Sequence, residues 1–551
     1  MRASKLRSVF SSVLAIRTAV ALTPPVPVPP PDEVDQNVVA ALADPSQSET
    51  GIAYFDQYID HDNPDLGTFS QTYWYNATFW KGPGSPVILF TPGEIAATGY
   101  TGYLTDQAIT GLIAKEVGGA VVLVEHRYWG NSTPYVEQST KALQFLNLDQ
   151  AVADFVHFAR TAKLPFDKNG TSNAENAPWI WSGGSYSGAL GAWVESLAPG
   201  TFWATHSSSG PVQAIYDYWE YFYPIQQGMP ANCSSDFSAI VDYVDDVFLH
   251  GSLQEKEAIK KQFGLQDLPH EDDAATAISA PIWAWQSIQL YSGYSTFYQM
   301  CDAIEGFAPN DTASAASENG VGLKKALPNY AKWYTSQYLP GLCESYGYDD
   351  WKGEDNVQCL DTYNASSPMF TDWTESNAFS RTWVWMTCND PFFYYQTGAP
   401  EGRPSVFSRL ASAEYWQRQC ELFFPREGDY TYGSNEGKTA AMLNQRTQGW
   451  DLDNTQRLFW VNGEFDPWRS ASMASEFRPA GPVEPTPEAP AILIPGARHC
   501  NDLRTNNAAV NADVKNTQQA VVKQMAAWTD DFYRNSPGRG RHARRNLSRR
   551  F

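Results

Sequence analysis

Three side chains in this sequence could together perform acyl transfer. The first is Ser185, set in the glycine-rich stretch Gly183-Gly184-Ser185-Tyr186-Ser187-Gly188. A serine hydroxyl is a weak nucleophile until a histidine accepts its proton and an acid fixes that histidine's tautomer. The stretch departs from the usual G-x-S-x-G elbow, because Ser187 stands where the second glycine is expected and Gly188 follows at once. Ser187 is a competing nucleophile, but it lacks a glycine two positions before it. Of the histidines after Ser185, His206, His250 and His270 fall in or beside a long insertion, and His542 lies in a basic tail. His499 alone sits just past a late strand, in Pro495-Gly496-Ala497-Arg498-His499-Cys500-Asn501-Asp502. Asp466, in Asn462-Gly463-Glu464-Phe465-Asp466-Pro467-Trp468, follows the preceding strand, and Glu464 is the alternative acid.

These residues work only if strands deliver them to one edge. Residues 177–182 read as a strand and 189–196 as a helix, which places Ser185 exposed on a tight strand-to-helix turn. Further buried-type strands are expected at 86–91, 118–125, 201–206, 457–462 and 491–495. Between them, 148–162 has helical periodicity, with Ala151, Phe155, Phe158 and Ala159 on one face. Apolar strands alternating with helices predict an α/β fold, a mostly parallel sheet covered on both faces. In such a core the triad members run in the order Ser, Asp, His, each after a strand. The core is read as 46–210 and 376–533, split by a mainly helical cap insertion at 211–375 that includes helical stretches near 238–248 and 254–263.

The ends differ from the body. The chain has 551 residues and a formal net charge of −22. Residues 1–21 and 534–551 hold eleven basic and no acidic side chains, so the part between them stands at −33. That charge disfavours nucleic acid and suits solubility at low pH. Residues 1–21 read as a secretory signal ending in Ala19-Val20-Ala21, and 22–45 as a proline-rich leader or pro-segment. Residues 534–551 read as a disordered basic tail, and no other run reaches membrane-spanning length. Export to a secreted or acidic vacuole-like compartment also fits the sequons at Asn76, Asn131, Asn169, Asn232, Asn310, Asn364 and Asn546. The seven cysteines show no CxxC spacing, which argues against a zinc site. Pairing neighbours along the chain gives Cys233–Cys301, Cys343–Cys359 and Cys388–Cys420, and leaves Cys500 free.

Further motifs carry a resemblance. Thr91-Pro92-Gly93-Glu94, Glu125-His126-Arg127-Tyr128-Trp129-Gly130, the Ser185 stretch, Tyr223-Pro224-Ile225-Gln226-Gln227-Gly228-Met229, Tyr415-Trp416-Gln417-Arg418-Gln419-Cys420, the Asp466 stretch and the His499 stretch resemble the lysosomal Pro-X carboxypeptidase family of serine peptidases. Within it the chain is most similar to the secreted fungal acid prolyl endopeptidases, whose elbow also resembles GGSYSG. The resemblance spans about residues 51 to 530. It implies Ser185 as nucleophile, Asp466 as orienting acid and His499 as base, on an α/β-hydrolase core with a helical cap, and cleavage after proline.

Tyr186, by its backbone N–H, and the loop at Gly93 and Glu94 are the expected oxyanion donors. Trp468 and Phe393 are the candidate walls of a proline pocket. Substrates are then proline-containing peptides or proteins, with no cofactor or metal needed. Oligomeric state, monomer or homodimer, stays open. The competing readings are an exopeptidase of the same family (Pro-X carboxypeptidase or dipeptidyl/tripeptidyl peptidase), an esterase or lipase on the same core, and a catalytically inactive hydrolase-like binding protein.

Overall fold

The computed structural model describes residues 49–167, 169–307 and 317–535. The expected signal, the leader, Asn310, Asn546 and the tail from 536 onward lie outside them. The strands are β1 (Thr50–Tyr58), β2 (Thr68–Asn76), β3 (Val87–Phe90), β4 (Ala120–Val124), β5 (Trp179–Gly184) and β6 (Ala204–Ser208), then β7 (Ile215–Asp217), β8 (Phe393–Tyr395), β9 (Leu458–Gly463) and β10 (Ala491–Ile494). Eight of them form one sheet in the order β1-β2-β4-β3-β5-β6-β9-β10. β1 and β2 run antiparallel at one edge, and every pairing from β4 to β10 is parallel. This is an α/β-hydrolase core.

Alternation along the strands explains why both faces are covered. Val87, Leu89, Trp179 and Trp181 point into one hydrophobic cluster, while Ile88, Phe90 and Ile180 point into another. The first cluster receives the helix Leu148–Thr161, which buries Ala151, Phe155, Phe158 and Ala159 and is capped by the Asn147 side chain. The second receives the long helix Ala512–Asn535 through Val514, Val521, Met525 and Trp528. That helix runs two residues into the stretch read as a basic tail. β10 differs from its reading as a buried strand: it closes the sheet's open edge, and Leu493 is 45% exposed.

Between β6 and β9 the chain leaves the sheet to form helices at Ala231–His250, Leu253–Gln262, Glu271–Ser279, Thr296–Glu305 and Leu323–Trp333. The first contains the expected stretch near 238–248, and the second covers the other except for its last residue, Phe263. A short parallel ladder that pattern alone did not suggest, Ile215 opposite Phe393, ties the start of this excursion to its return. Disulfides join Cys233 to Cys301, Cys343 to Cys359 and Cys388 to Cys420, and Cys500 is free and buried. The Cys233–Cys301 bond spans 68 residues and Cys343–Cys359 only 16. Loop-closure entropy then makes the first worth about 4 kcal/mol and the second about 3 kcal/mol. Paired Cys→Ser replacements should lower the denaturant midpoint in that order, measured by equilibrium unfolding.

Among the expected sequons, Asn131, Asn169 and Asn364 are exposed, whereas Asn76 and Asn232 are half-buried. The Asn76 amide donates to the Leu104 carbonyl at 3.1 Å.

Candidate active site

Hydrogen bonding between parallel strands brings the three chemically suggestive loops to one edge of the sheet. β5 pairs with β6 up to Gly184 opposite Ser208, so both glycines before Ser185 belong to the strand and not to the turn. Ser185 then takes φ 55° and ψ −134°, and the helix Tyr186–Leu197 starts at the next residue. A non-glycine residue held there stores on the order of 1–3 kcal/mol of strain. Its backbone N–H donates to the Ser208 carbonyl at 2.9 Å, which fixes the turn to the end of β6.

The departure at Ser187 has a steric explanation. A Cβ on Gly183 would meet the Ser187 Oγ at 2.4 Å, so the glycine two before Ser185 makes room for the serine two after it. Ser187 is fully buried, and its hydroxyl has no hydrogen-bond partner and hence no base beside it. Ser185 itself is only 3% exposed, not open at the surface as the elbow pattern suggests. The segment around Ala280–Trp285 lies over this edge: the Trp285 indole donates to the Phe465 carbonyl at 2.7 Å, and Asn501 reaches the Ile288 carbonyl at 3.3 Å.

The acid and the histidine meet. His499 Nδ1 lies 2.9 Å from Asp466 Oδ1, with both side chains buried, and the same oxygen accepts the Trp468 backbone N–H at 3.0 Å. The other ring nitrogen, Nε2, is buried without a hydrogen-bond partner. Glu464, the alternative acid, instead accepts the Gly496 N–H at 2.8 Å. Burial works against the imidazolium, but the adjacent Cys500 sulfur and the Asp466 carboxylate more than offset it and hold His499 well above the ordinary histidine range.

The loop after β3 brings the Glu94 carboxyl close to the elbow. Gly93 has φ 81°, and a Cβ there would lie 2.9 Å from the Tyr186 ring, so glycine is required for the loop to reach the elbow. Its N–H lies 3.3 Å from the Thr91 hydroxyl. Glu94 is 2% exposed, and its Oε2 has no partner. Burial pushes its pKa up to about 8, against the opposing pull of its own backbone N–H and of His499. The carboxyl group lies within electrostatic reach of His499, Tyr186 and Tyr394. Sequence marks Glu94 only through its loop; that its acid is kept neutral is a consequence of burial.

Trp468 stands in an aromatic enclosure. Its ring packs at 5.1 Å on Tyr394, at 5.5 Å on Tyr221 and at 5.8 Å on Tyr218, and its indole N–H donates to Gln286 Oε1 at 3.0 Å. Phe393 is elsewhere: it packs on Tyr216 and Tyr395. Successive side chains of a strand face opposite ways, and it is the neighbour Tyr394 that packs on Trp468. Tyr218, Tyr221 and Gln286 were not foreseen, because nothing local marks them. No helix among the described residues is long and apolar enough to cross a membrane.

Comparison with known proteins adds to this geometry. Residues 57–521 match the family described as serine carboxypeptidase S28. The chain is 48% identical over 504 residues to the serine protease vicPa of Bipolaris victoriae, covering 92% of this chain and 93% of that one. It is 32% identical over 451 residues to a probable extracellular serine carboxypeptidase of Arthroderma benhamiae, covering 78% of this chain and 59% of that relative. It is also 23% identical over 489 residues to the human thymus-specific serine protease, covering 87% of this chain and 86% of the other.

Proposed function

Because the chain belongs to the serine carboxypeptidase S28 family and is a serine peptidase, we propose that it hydrolyses peptide bonds on the carboxyl side of proline, within chains, with Ser185 as nucleophile, His499 as base and Asp466 as orienting acid. The observation that carries this reading is the buried His499–Asp466 pair, whose second ring nitrogen is unpartnered at the sheet edge that bears the Ser185 elbow. Disulfides and the signal-like start support action outside the cell.

In this mechanism Ser185 Oγ attacks the carbonyl carbon of the proline residue and gives its proton to His499 Nε2. Asp466 fixes the tautomer and stabilises the imidazolium. The carbonyl oxygen becomes an oxyanion held by two donors. One is the Tyr186 N–H, which as the first helical residue has no intrahelical acceptor. The second is the protonated Glu94 carboxyl, whose O–H is available because burial keeps it neutral. The C–N bond then breaks, His499 protonates the departing amine, and water attacks the acyl-enzyme with His499 again as base. The products are a peptide ending in proline and a peptide with a new amino terminus.

Proline offers a compact apolar ring without an N–H, which suits the enclosure of Trp468, Tyr394, Tyr221 and Tyr218. Trp468→Ala should lower kcat/KM on a prolyl substrate by about 10²-fold, an aromatic contact deletion of roughly 3 kcal/mol, and affect an alanyl substrate much less. Equal losses on both substrates would remove Trp468 from the pocket.

A long proline-containing polypeptide digested at pH 4 and pH 7, with its fragments mapped, tests the whole reading. Internal cuts after proline support it. Release of single residues from the carboxyl end alone would establish the second reading, a carboxypeptidase, which the family's description and the Arthroderma relative's name favour. Activity confined to acyl esters would overturn the proline assignment.

A further inference from the structure

Beneath the proposed site lies a second buried group of polar side chains that the mechanism does not use. His206 on β6 is fully buried, with Nδ1 3.0 Å from the Ser182 hydroxyl of β5 and Nε2 3.1 Å from Asp502 Oδ2. Asp502, 2% exposed, accepts the Ser208 hydroxyl at 2.5 Å through its other oxygen. Ser208 is also the residue whose carbonyl holds the Ser185 N–H, at 2.9 Å. One residue at the end of β6 therefore bonds to the nucleophile's backbone and to the carboxylate three positions after His499. A parallel link lies beside it, where the Cys500 N–H donates to the Ser209 hydroxyl at 2.9 Å. From the far side, Gln518 of the helix Ala512–Asn535 donates to the Asp502 carbonyl at 2.7 Å.

The Ser182–His206–Asp502 series repeats the residue types of a catalytic triad, yet it cannot act as one. All three side chains are buried, and Ser182 lies within β5. A buried carboxylate is costly unless paired and hydrogen-bonded, and here Asp502 binds the loop carrying His499 to β6 through the Ser208 hydroxyl, while His206 faces its other oxygen at 3.1 Å without hydrogen-bond geometry and itself contacts Ser182 of β5. We propose that Asp502, with His206 and Ser208, is a positioning group that holds His499 in register with Ser185. His499 is attached to the sheet mainly by loops, whereas Ser185 is fixed by the β5–β6 ladder, so a tie between the two sets their relative placement. The inference rests on Ser185 and His499 having the roles proposed above.

The test compares Asp502→Asn, Ser208→Ala and His206→Gln with the wild type and Ser185→Ala, each first checked for native circular dichroism and its thermal midpoint. Asp502→Asn keeps an acceptor for Ser208 but loses the charge facing His206, and Ser208→Ala removes only the hydroxyl link. A misplacement near 1 Å costs about 10²-fold in rate. The expected result is a fall of that order in kcat for a peptide substrate, with KM within about twofold. The loss should be smaller for an activated ester, whose leaving group needs no proton from His499. The double variant Asp502→Asn/His206→Gln should lose less than the product of the two single losses, because both act through one tie. Wild-type kcat in folded Asp502→Asn and Ser208→Ala, or equal losses on ester and peptide, would overturn the proposal. If Ser185→Ala keeps full activity, the site assignment itself fails, an outcome distinct from failure of the tie.

Discussion

Ser185→Ala is expected to lower kcat on a prolyl peptide by about 10⁵–10⁶-fold while leaving the fold intact. Removing the nucleophile of a serine peptidase costs about as much as removing the whole triad, because its members act as a unit. The residue is also the one strained point of the elbow, at φ 55°, and alanine there keeps the backbone bond to Ser208. Asp466→Asn should cost about 10⁴-fold, since an amide at that place holds the imidazole in the wrong tautomer. Ser187→Ala is the internal control. Its hydroxyl is buried and bonds to nothing, so turnover should stay within about twofold. Steady-state kinetics, with an organophosphonate to titrate reactive serine, measures all three. Loss of labelling in Ser187→Ala and its persistence in Ser185→Ala would reverse the assignment.

The second large effect concerns Glu94. Its pKa, raised by burial to about 8, means that the carboxyl donates a hydrogen bond below that pH and becomes an anion facing the oxyanion above it. Activity that depends on this donor should be present at lower pH and fall as pH rises through the Glu94 pKa. His499 acts in the opposite direction. It must be neutral to accept the Ser185 proton, and Cys500 and Asp466 hold its proton on, so activity should fall as pH drops through the His499 pKa. The profile of kcat/KM is then a bell whose limbs are macroscopic values of the coupled pair.

Glu94→Ala should cost about 10²–10³-fold, the usual loss for one oxyanion donor. Glu94→Gln supplies a donor that cannot ionise, so it should keep most of the activity and lose the alkaline limb. An unchanged alkaline limb in Glu94→Gln would remove Glu94 from the oxyanion site. Because His499 is held well above the ordinary histidine range, wild-type activity should fall below neutrality, and full activity at pH 4 would overturn the assignment of the acid limb to His499.

Much of the fold was legible because it rests on short-range patterns. Runs such as 87–90 and 120–124 are apolar throughout, and a strand with no polar face must be covered on both sides, so a parallel sheet is the reading that residue type favours. Their ends shifted where tertiary pairing decided them: Gly183 and Gly184 read as turn residues, but the ladder to Ser207 and Ser208 extends the strand through them. The edge position of β10 was hidden because an apolar run does not reveal how many neighbours it has.

The chemical groups followed the same division. The order of Ser185, Asp466 and His499, each after a strand, was legible in the sequence because loops at strand ends are local features, whereas the cysteine pairs, one of them 68 residues apart, could only be guessed from proximity along the chain. The choice of Asp466 over Glu464 needed three dimensions, since both follow the same strand and only one bonds to His499. So did the packing of Tyr394 rather than Phe393 on Trp468, where one residue of register reverses the face. The neutral Glu94 and the His206–Asp502 tie depended entirely on the tertiary structure. Burial alone gives a carboxyl its proton or demands a partner for its charge, and burial comes from residues hundreds of positions away along the chain.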